Sequence, residues 1–177
     1  LKDRNLLDNT WIVFSSDHGE MLGDHGLLAK KVFYEGAVNV PCLFRPPNGQ
    51  SQGINKGLTC HLDIVATLID ICGAEPLQNS DGKSILPVLA GASADPQRPA
   101  VLSELGLPPS AFAMLRTSDY KLCADAKTRE PIEFYDLTED PHELHNLVSH
   151  ADYAERRQLL NEICLLYTSP SPRDSSK

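Results

Sequence analysis

The sequence has no apolar run that approaches the length of about 20 residues that a membrane-spanning helix requires. It also has no excess of basic residues, because 24 acidic residues against 16 lysines and arginines give a formal net charge of −8. Nucleic-acid binding requires a basic face, so we expect no nucleic-acid partner. An acidic protein can still bind an anion through a local cluster of positive charge.

The five cysteines form no C-x-x-C pair, so neither a zinc ribbon nor a thioredoxin motif is supported. Scattered single cysteines are most often core residues, and we expect these to be buried. No internal repeat is present. The hydrophobic fraction of 41% over 177 residues is ordinary for a globular protein of one domain or slightly more.

Both ends of the sequence are unusual. Residues 1–10 resemble the end of a helix and its exit turn, with no Met and no signal-peptide pattern, so we expect a fragment that lacks its N-terminal part. Residues 164–177 are rich in Ser and Pro and lack periodicity. We interpret them as a reading frame of a sequencing adaptor rather than a natural disordered tail, and exclude them from fold prediction.

The first half of the sequence predicts an α/β arrangement. The continuous apolar centre of residues 10–16 predicts a strand buried on both faces, as in a parallel sheet. Residues 38–44 predict a second strand, with Pro41 at an edge or bulge. Residues 61–73 predict a helix whose apolar side chains share one face and whose C-cap is Gly73.

The second half has a different pattern. A linker is predicted at 92–99, followed by four short strands and then a helix at about 152–163. The predicted strands are 100–104, 111–117, 120–124 and 132–136. We therefore expect a small antiparallel sheet followed by a helix, with domain boundaries that give 1–95, 96–163 and a tail at 164–177.

Two Asp-His-Gly triplets follow the first predicted strand. Ligands bind beyond the carboxyl ends of strands in open α/β sheets, and Asp17 and His18 stand at such an end. A carboxylate oxygen and an imidazole nitrogen are suitable ligands for a divalent cation, and Gly19 lets the chain turn away closely. A turn aspartate beside a surface histidine is the alternative for this dipeptide alone.

A pair of lysines follows the second triplet. An anionic ester bound to a metal needs further positive charge on its oxygens, and Lys30 could supply it from a glycine-rich loop. His25 could act on the same anion or donate a proton to the leaving oxygen. The alternatives are a solvated pair formed by Lys30 and Lys31, and a turn histidine.

These motifs, taken in order, closely resemble the sulfatases of the alkaline phosphatase superfamily, near the arylsulfatases and choline-sulfatases. The resemblance covers nearly all of residues 10–148 and rests on S-D-H-G-E-M-L-G-D-H-G-L, K-x-x-x-Y-E-G, V-x-V-P, H-L-D-I-V-A-T-L-I-D-I-C-G, D-G-K-S-I-L-P-V-L, Y-K-L and E-F-Y-D-L-T-E-D-P-H-E-L-H-N-L. The fold it implies is the C-terminal part of an alkaline-phosphatase-like sandwich, with a parallel-type sheet and helices, plus the small antiparallel sheet and final helix.

The resemblance also implies roles for individual residues. Asp17 and His18 match metal ligands, for calcium or alternatively magnesium or manganese, and Lys30 matches the lysine that binds sulfate oxygens. His25 lies in a loop near the site. Tyr34 and Glu35 are expected to brace that loop, and His61 to cap or lie on the surface rather than to approach the substrate pocket.

The family's nucleophile is a formylglycine made from Cys or Ser in C/S-x-P-S-R, a motif that is absent from this sequence. The resemblance thus implies a hydrolase of small-molecule or saccharide sulfate esters whose formylglycine lies upstream, and we expect this fragment to be inactive alone. A secreted, periplasmic or lysosomal-type compartment would fit the family. The alternatives are a phosphonate monoester hydrolase or phosphodiesterase of the superfamily, and a non-catalytic binding protein with the same fold.

Overall fold

A computed structural model describes residues 1–49, 53–91, 98–106 and 111–168, and only the backbone of 165–168. Most of the predicted linker, 92–97, and the tail residues 169–177 lie outside the described residues. The chain divides into two compact units. The first comprises Leu1–Glu20 and Val38–Arg98, and the second comprises Met21–Ala37 and Pro99–Lys177.

The first unit contains a two-stranded sheet of β1 (Ile12–Ser15) and β2 (Cys42–Arg45). Both strands were predicted, but they pair antiparallel, with Ile12 opposite Arg45, so the expected parallel pairing is wrong for this part of the chain. The expected burial of β1 on both faces is wrong as well. Phe14 is 60% exposed, because the described part of this unit provides one neighbouring strand and no layer over the face of Phe14.

The helix predicted at 61–73 is α2 (His61–Ile71), and Gly73 follows its C-cap with a φ of 63°. A shorter helix, called α3 here, spans Leu86–Leu89. The apolar face of α2 is not the face that this unit buries, because Leu62 remains 50% exposed. The fully buried side chains of α2 are polar, namely Asp63 and Thr67. Their burial follows from the hydrogen bonds that they make to a neighbouring loop.

Asp63 is the centre of these hydrogen bonds. Its carboxylate accepts the backbone N–H of Cys60 at 3.0 Å, which caps α2, and that of Lys83 at 2.8 Å. The guanidinium of Arg98 donates to both of its oxygens, at 2.6 to 3.0 Å. Burial raises the pKa of the Asp63 carboxyl, but these donors outweigh burial and hold the pKa below its ordinary value.

Replacing Asp63 with Asn should destabilise the protein by about 3 kcal/mol, because it leaves the Arg98 guanidinium without its buried counter-charge. The folded-state pKa of Asp63 is depressed. Its contribution is therefore complete above the unfolded pKa of about 3.9 and is lost as the pH falls through the lower folded value. Urea unfolding at several pH values should show the difference between wild type and Asp63→Asn shrinking below about pH 4.

Asp70→Asn is the matched control, since Asp70 lies exposed on the same helix. It should change the free energy of unfolding by no more than about 0.5 kcal/mol at any of these pH values. A difference between wild type and Asp63→Asn that persists unchanged to pH 2 would contradict an ionic role for Asp63.

The second unit contains a four-stranded antiparallel sheet, as predicted. Its strands are β3 (Ala100–Leu105), β4 (Phe112–Thr117), β5 (Tyr120–Asp125) and β6 (Pro131–Asp136), and they pair in sequence order. The predicted C-terminal helix is α4 (Ala154–Thr168), which packs on one face of the sheet. The buried cluster between them consists of Ala113, Leu115, Leu122, Ala124, Phe134, Leu160 and Cys164.

The remaining elements are short. The helix α1 (Glu35–Val38) lies at the end of the segment Met21–Ala37 of the second unit, and its last residue, Val38, is the first of the following segment of the first unit. The 3-10 turns are Lys2–Arg4, Leu7–Asn9, Asp24–Gly26, Pro47–Gly49 and Ala151–Tyr153. Among the residues that the structure describes, no helix has the length and hydrophobicity that a membrane crossing requires.

The cysteines only partly follow the expectation of burial. Cys123 and Cys164 are 1% exposed, whereas Cys42, which begins β2, and Cys72, the C-cap of α2, are exposed at element ends. All five are free thiols. Cys164 is the first residue of the predicted tail, and its packing against the sheet shows that α4 contributes to the core through this position.

Candidate functional site

The first candidate pair, Asp17 and His18, directly follows β1. The carboxylate oxygen Oδ2 of Asp17 lies 3.3 Å from Nε2 of His18. The other ring nitrogen of His18, Nδ1, lies 2.7 Å from the carbonyl oxygen of Gly19. Because a carbonyl can only accept, Nδ1 carries a hydrogen in this contact. At 3.3 Å, Nε2 of His18 and Oδ2 of Asp17 are close enough to share a proton or a cation.

The spacing of these two atoms fits a shared cation. At this separation a carboxylate oxygen and an imidazole nitrogen could both approach one divalent ion. A backbone carbonyl on the second nitrogen is the arrangement that orients histidine ligands in metal sites. Within the described residues, however, no group of three His, Cys, Asp or Glu side chains could hold an ion. This chain therefore supplies at most part of a coordination shell.

The backbone of the candidate ligands is held by side chains of the first unit. His61, the first residue of α2, places Nε2 2.8 Å from the carbonyl oxygen of Ser16. The hydroxyl of Ser16 donates to the carbonyl of His18 at 2.7 Å. His61 is exposed and contacts the chain beside the candidate ligand pair. The expectation that it does not itself bind substrate stays a prediction.

The second pair of candidates, His25 and Lys30, lies on a closed loop of the second unit. The N–H of Met21 donates to the carbonyl of Ala29 at 3.0 Å, and Met21 is buried. Ala29 adopts a φ of 68°, in the left-handed region, and the exposed Lys30 follows it. The ends of the loop are thereby joined just before the lysine, so Lys30 leaves the loop at a defined point.

His25 is held on both of its sides. Its ring stacks on Tyr34, with the centroids 3.9 Å apart and the planes 10° apart. Its Nε2 lies 3.0 Å from the carbonyl oxygen of His142 and must carry the hydrogen of that bond. A role in proton transfer would therefore use Nδ1, and that role stays a prediction.

Glu35 braces the same segment, as expected from the sequence. Its backbone N–H donates to the carboxylate of Glu143 at 2.7 Å, and its own carboxylate lies 2.7 Å from Nζ of Lys121 and 3.4 Å from Nε of Arg116. Burial raises the pKa of Glu35, but Lys121 and Arg116 more than offset it, so the pKa lies below its ordinary value. Sequence reasoning missed both Lys121 and Glu143. The available signal was a lysine inside an apolar strand.

Asp17 and His18 belong to the first unit, and His25 and Lys30 to the second. The structure therefore describes the geometry of each pair within its own unit. Joint action of the two pairs rests on the order of the motifs and stays a prediction.

The fold places the chain among hydrolases of the sulfatase and alkaline phosphatase type, and the predicted α/β class is confirmed. The solved structure of a phosphonate monoester hydrolase of Agrobacterium radiobacter matches it with a TM-score of 0.79 and 31% sequence identity. That match covers 95% of this chain and 36% of the other chain.

The chain belongs to the family described as N-sulphoglucosamine sulphohydrolase, C-terminal, whose model matches residues 23–166. This confirms the resemblance to sulfatases, and the match reaches into the start of the predicted tail. Two relatives are an N-acetylglucosamine-6-O-sulfatase of Bacteroides thetaiotaomicron, 31% identical over 94% of the chain, and a choline-sulfatase of Rhizobium meliloti, 35% identical over 80%. The chain spans 32% and 28% of these two proteins, respectively, which is about a third of their length.

Proposed function

We propose that the full-length protein, meaning this sequence within a chain as long as its relatives, is a metal-dependent sulfuric ester hydrolase. The observation that carries the proposal is the sulfatase family match over residues 23–166. The 3.3 Å separation between Oδ2 of Asp17 and Nε2 of His18 adds support, since a carboxylate oxygen and an imidazole nitrogen are suitable ligands for a divalent ion.

The proposed roles follow from charge. Asp17 and His18 would hold part of the coordination shell of a divalent ion, for which calcium is our first choice and magnesium or manganese the alternatives. When bound, such an ion draws electron density from the ester oxygens. The ammonium of Lys30 would neutralise charge on the non-bridging oxygens of the sulfate group. His25 would donate a proton to the leaving oxygen through Nδ1.

The substrate we propose is a small-molecule or saccharide sulfate ester. A 6-O-sulfated amino sugar is the most specific candidate, since one relative is an N-acetylglucosamine-6-O-sulfatase. This sequence has no C/S-x-P-S-R motif, so the formylglycine nucleophile would come from another part of the full-length protein, and the 177 residues alone should be inactive.

A phosphonate monoester hydrolase is the second candidate, favoured by the solved structure at 31% identity. Full-length protein should be assayed with a 4-nitrophenyl sulfate and a 4-nitrophenyl phosphonate monoester under the same conditions. The ratio of the two kcat/KM values measures discrimination between the substrates. We expect the value for the sulfate to exceed that for the phosphonate by about tenfold or more.

Protein carrying Asp17→Ala, prepared in parallel, serves as the blank for contaminating hydrolases. A preference for the phosphonate would replace the sulfatase proposal with the second candidate. Hydrolysis of neither ester above the blank would favour a binding protein that retains the fold.

A further inference from the structure

A buried lysine stands beneath the loop that carries the proposed sulfate-binding residue. Lys121 lies in β5 and is 0% exposed. Leu122 and Ala124 of the same strand belong to the cluster beneath α4. Because side chains alternate along a strand, Lys121 points to the opposite face of the sheet, toward the segment 33–35.

The Lys121 ammonium makes one hydrogen bond and lies in close ionic contact with two carboxylates. Nζ lies 2.8 Å from the carbonyl oxygen of Phe33, 2.7 Å from Oε1 of Glu35 and 2.6 Å from Oε1 of Glu143. The two carboxylates supply the counter-charge for the buried ammonium, while Oε1 of Glu143 accepts no hydrogen bond and is held by charge alone. Phe33 and Glu35 belong to residues 30–35, called the Lys30 loop here, and Glu143 follows β6, so one side chain of the sheet contacts both segments.

Stability alone does not account for a charge in this place. Replacing a buried ion cluster by apolar side chains of similar volume is often neutral or stabilising. The contacts of Lys121 instead fix positions, because Phe33, Glu35 and Glu143 must each lie at a specific point around Nζ. Lys30 is three residues from Phe33, a reach of about 10 Å at most, so the backbone anchored at Phe33 limits where Lys30 can stand.

We propose that Lys121 is a positioning residue for the reaction, which holds the Lys30 loop against the sheet through Phe33, Glu35 and Glu143. The proposal rests on the proposed function only in assigning sulfate binding to Lys30. A displacement of about 1 Å at a reacting group can cost about 10²-fold in rate, so anchoring of this kind has a measurable effect.

The first test is a double-mutant cycle in the full-length protein. Lys121→Met should lower kcat/KM for 4-nitrophenyl sulfate by about tenfold or more, as expected for a misplaced charged group. If Lys121 acts through Lys30, adding Lys121→Met to Lys30→Ala should cost less than about threefold more, since coupled residues are not additive. Losses that multiply would overturn the proposal.

Leu160→Ala is the control, because Leu160 is buried in the cluster on the α4 side of the sheet, the face opposite to Lys121. It should lower Tm, change kcat/KM of the folded protein by less than about threefold, and combine multiplicatively with Lys30→Ala. Should Lys121→Met fail to fold, Glu143→Gln replaces it, and it should lower kcat/KM in the same direction and show the same coupling.

The second test does not depend on activity. The backbone N–H of Glu35 donates to the Glu143 carboxylate, and that of Ala37 donates to the carbonyl of Tyr34. In Lys121→Met both amide hydrogens should exchange about tenfold faster with solvent. The exchange rates of the amides that pair β4 with β5 should stay the same. Unchanged exchange at residues 33–37 would overturn the proposal. Faster exchange in a protein that hydrolyses no sulfate ester would support the anchoring and overturn the proposed function instead.

Discussion

Replacing Lys30 with alanine in the full-length protein is expected to lower kcat/KM for an aryl sulfate by about 10²-fold or more. The lysine is proposed to neutralise charge that grows on the non-bridging oxygens, and removal of one such donor typically costs this much. The loss should appear in kcat as well as KM, because the charge is greater in the transition state than in the bound ester. Initial rates over a range of substrate concentrations separate the two.

Lys31→Ala is the matched control, since Lys31 is the adjacent residue, carries the same charge and is also exposed. It should change kcat/KM by less than about threefold, as expected for an exposed charge outside the site. Equal losses for the two variants would mean that general positive charge, rather than a specific contact from Lys30, attracts the anion. Wild-type activity in Lys30→Ala would remove this residue from the site.

The elements of the second unit were predictable because their signals are local. Alternating strands separated by polar turns, such as Ser118-Asp119 between β4 and β5, predict hairpins without any knowledge of the rest of the chain. The ends of the predicted elements differ from the observed ones by a few residues in both units. In the first unit, for example, β2 was predicted to begin at Val38 but begins at Cys42, and Val38 is the last residue of α1. Such shifts are expected, since element ends depend on contacts as well as propensity.

The pairing and burial of elements in the first unit were less predictable. A continuous apolar run such as Trp11–Phe14 is compatible with a strand buried on both faces, yet Phe14 pairs opposite Leu43, and both are more than half exposed in this chain. In α2 the sequence displays an apolar face, while the buried residues are Asp63 and Thr67. Their burial depends on donors and acceptors from Lys83, Ile85 and Arg98, which no helical period encodes.

The candidate site divides in the same way. Asp17, His18 and Lys30 could be named as candidates from the sequence because they stand in short motifs of ionisable residues. Lys121 was missed because a lysine in a strand is ordinarily a surface residue. Its burial depends on acceptors remote in sequence, and the carbonyl of Phe33 lies 88 positions earlier. Motifs thus indicate candidate groups for metal and substrate binding, whereas the contacts of a buried residue such as Lys121 depend on tertiary packing.

The dependence on a metal ion should be the strongest test of the first unit. Full-length protein treated with a chelator should lose its activity and regain it with calcium, magnesium or manganese, added in turn. In Asp17→Ala the metal concentration for half-maximal activity should rise by about 10²-fold or more. Mutation of a residue that only hydrogen-bonds a metal ligand typically lowers metal affinity by about 10- to 100-fold. Asp17 is proposed as a ligand itself, so its loss should cost at least as much.

The sequence provides its own control in the second Asp-His-Gly triplet. Asp24→Ala removes a carboxylate from the same tripeptide context. Both carboxylates accept the backbone N–H of the following histidine, and what distinguishes Asp17 is the 3.3 Å separation between its Oδ2 and Nε2 of His18. The metal dependence of Asp24→Ala should match that of the wild type. Because an ion that binds only the folded protein raises Tm, the metal-induced rise should also persist in Asp24→Ala and vanish in Asp17→Ala. Equal behaviour of the two variants would show that the 3.3 Å approach of Asp17 to His18 is an ordinary ion pair and not part of a metal site.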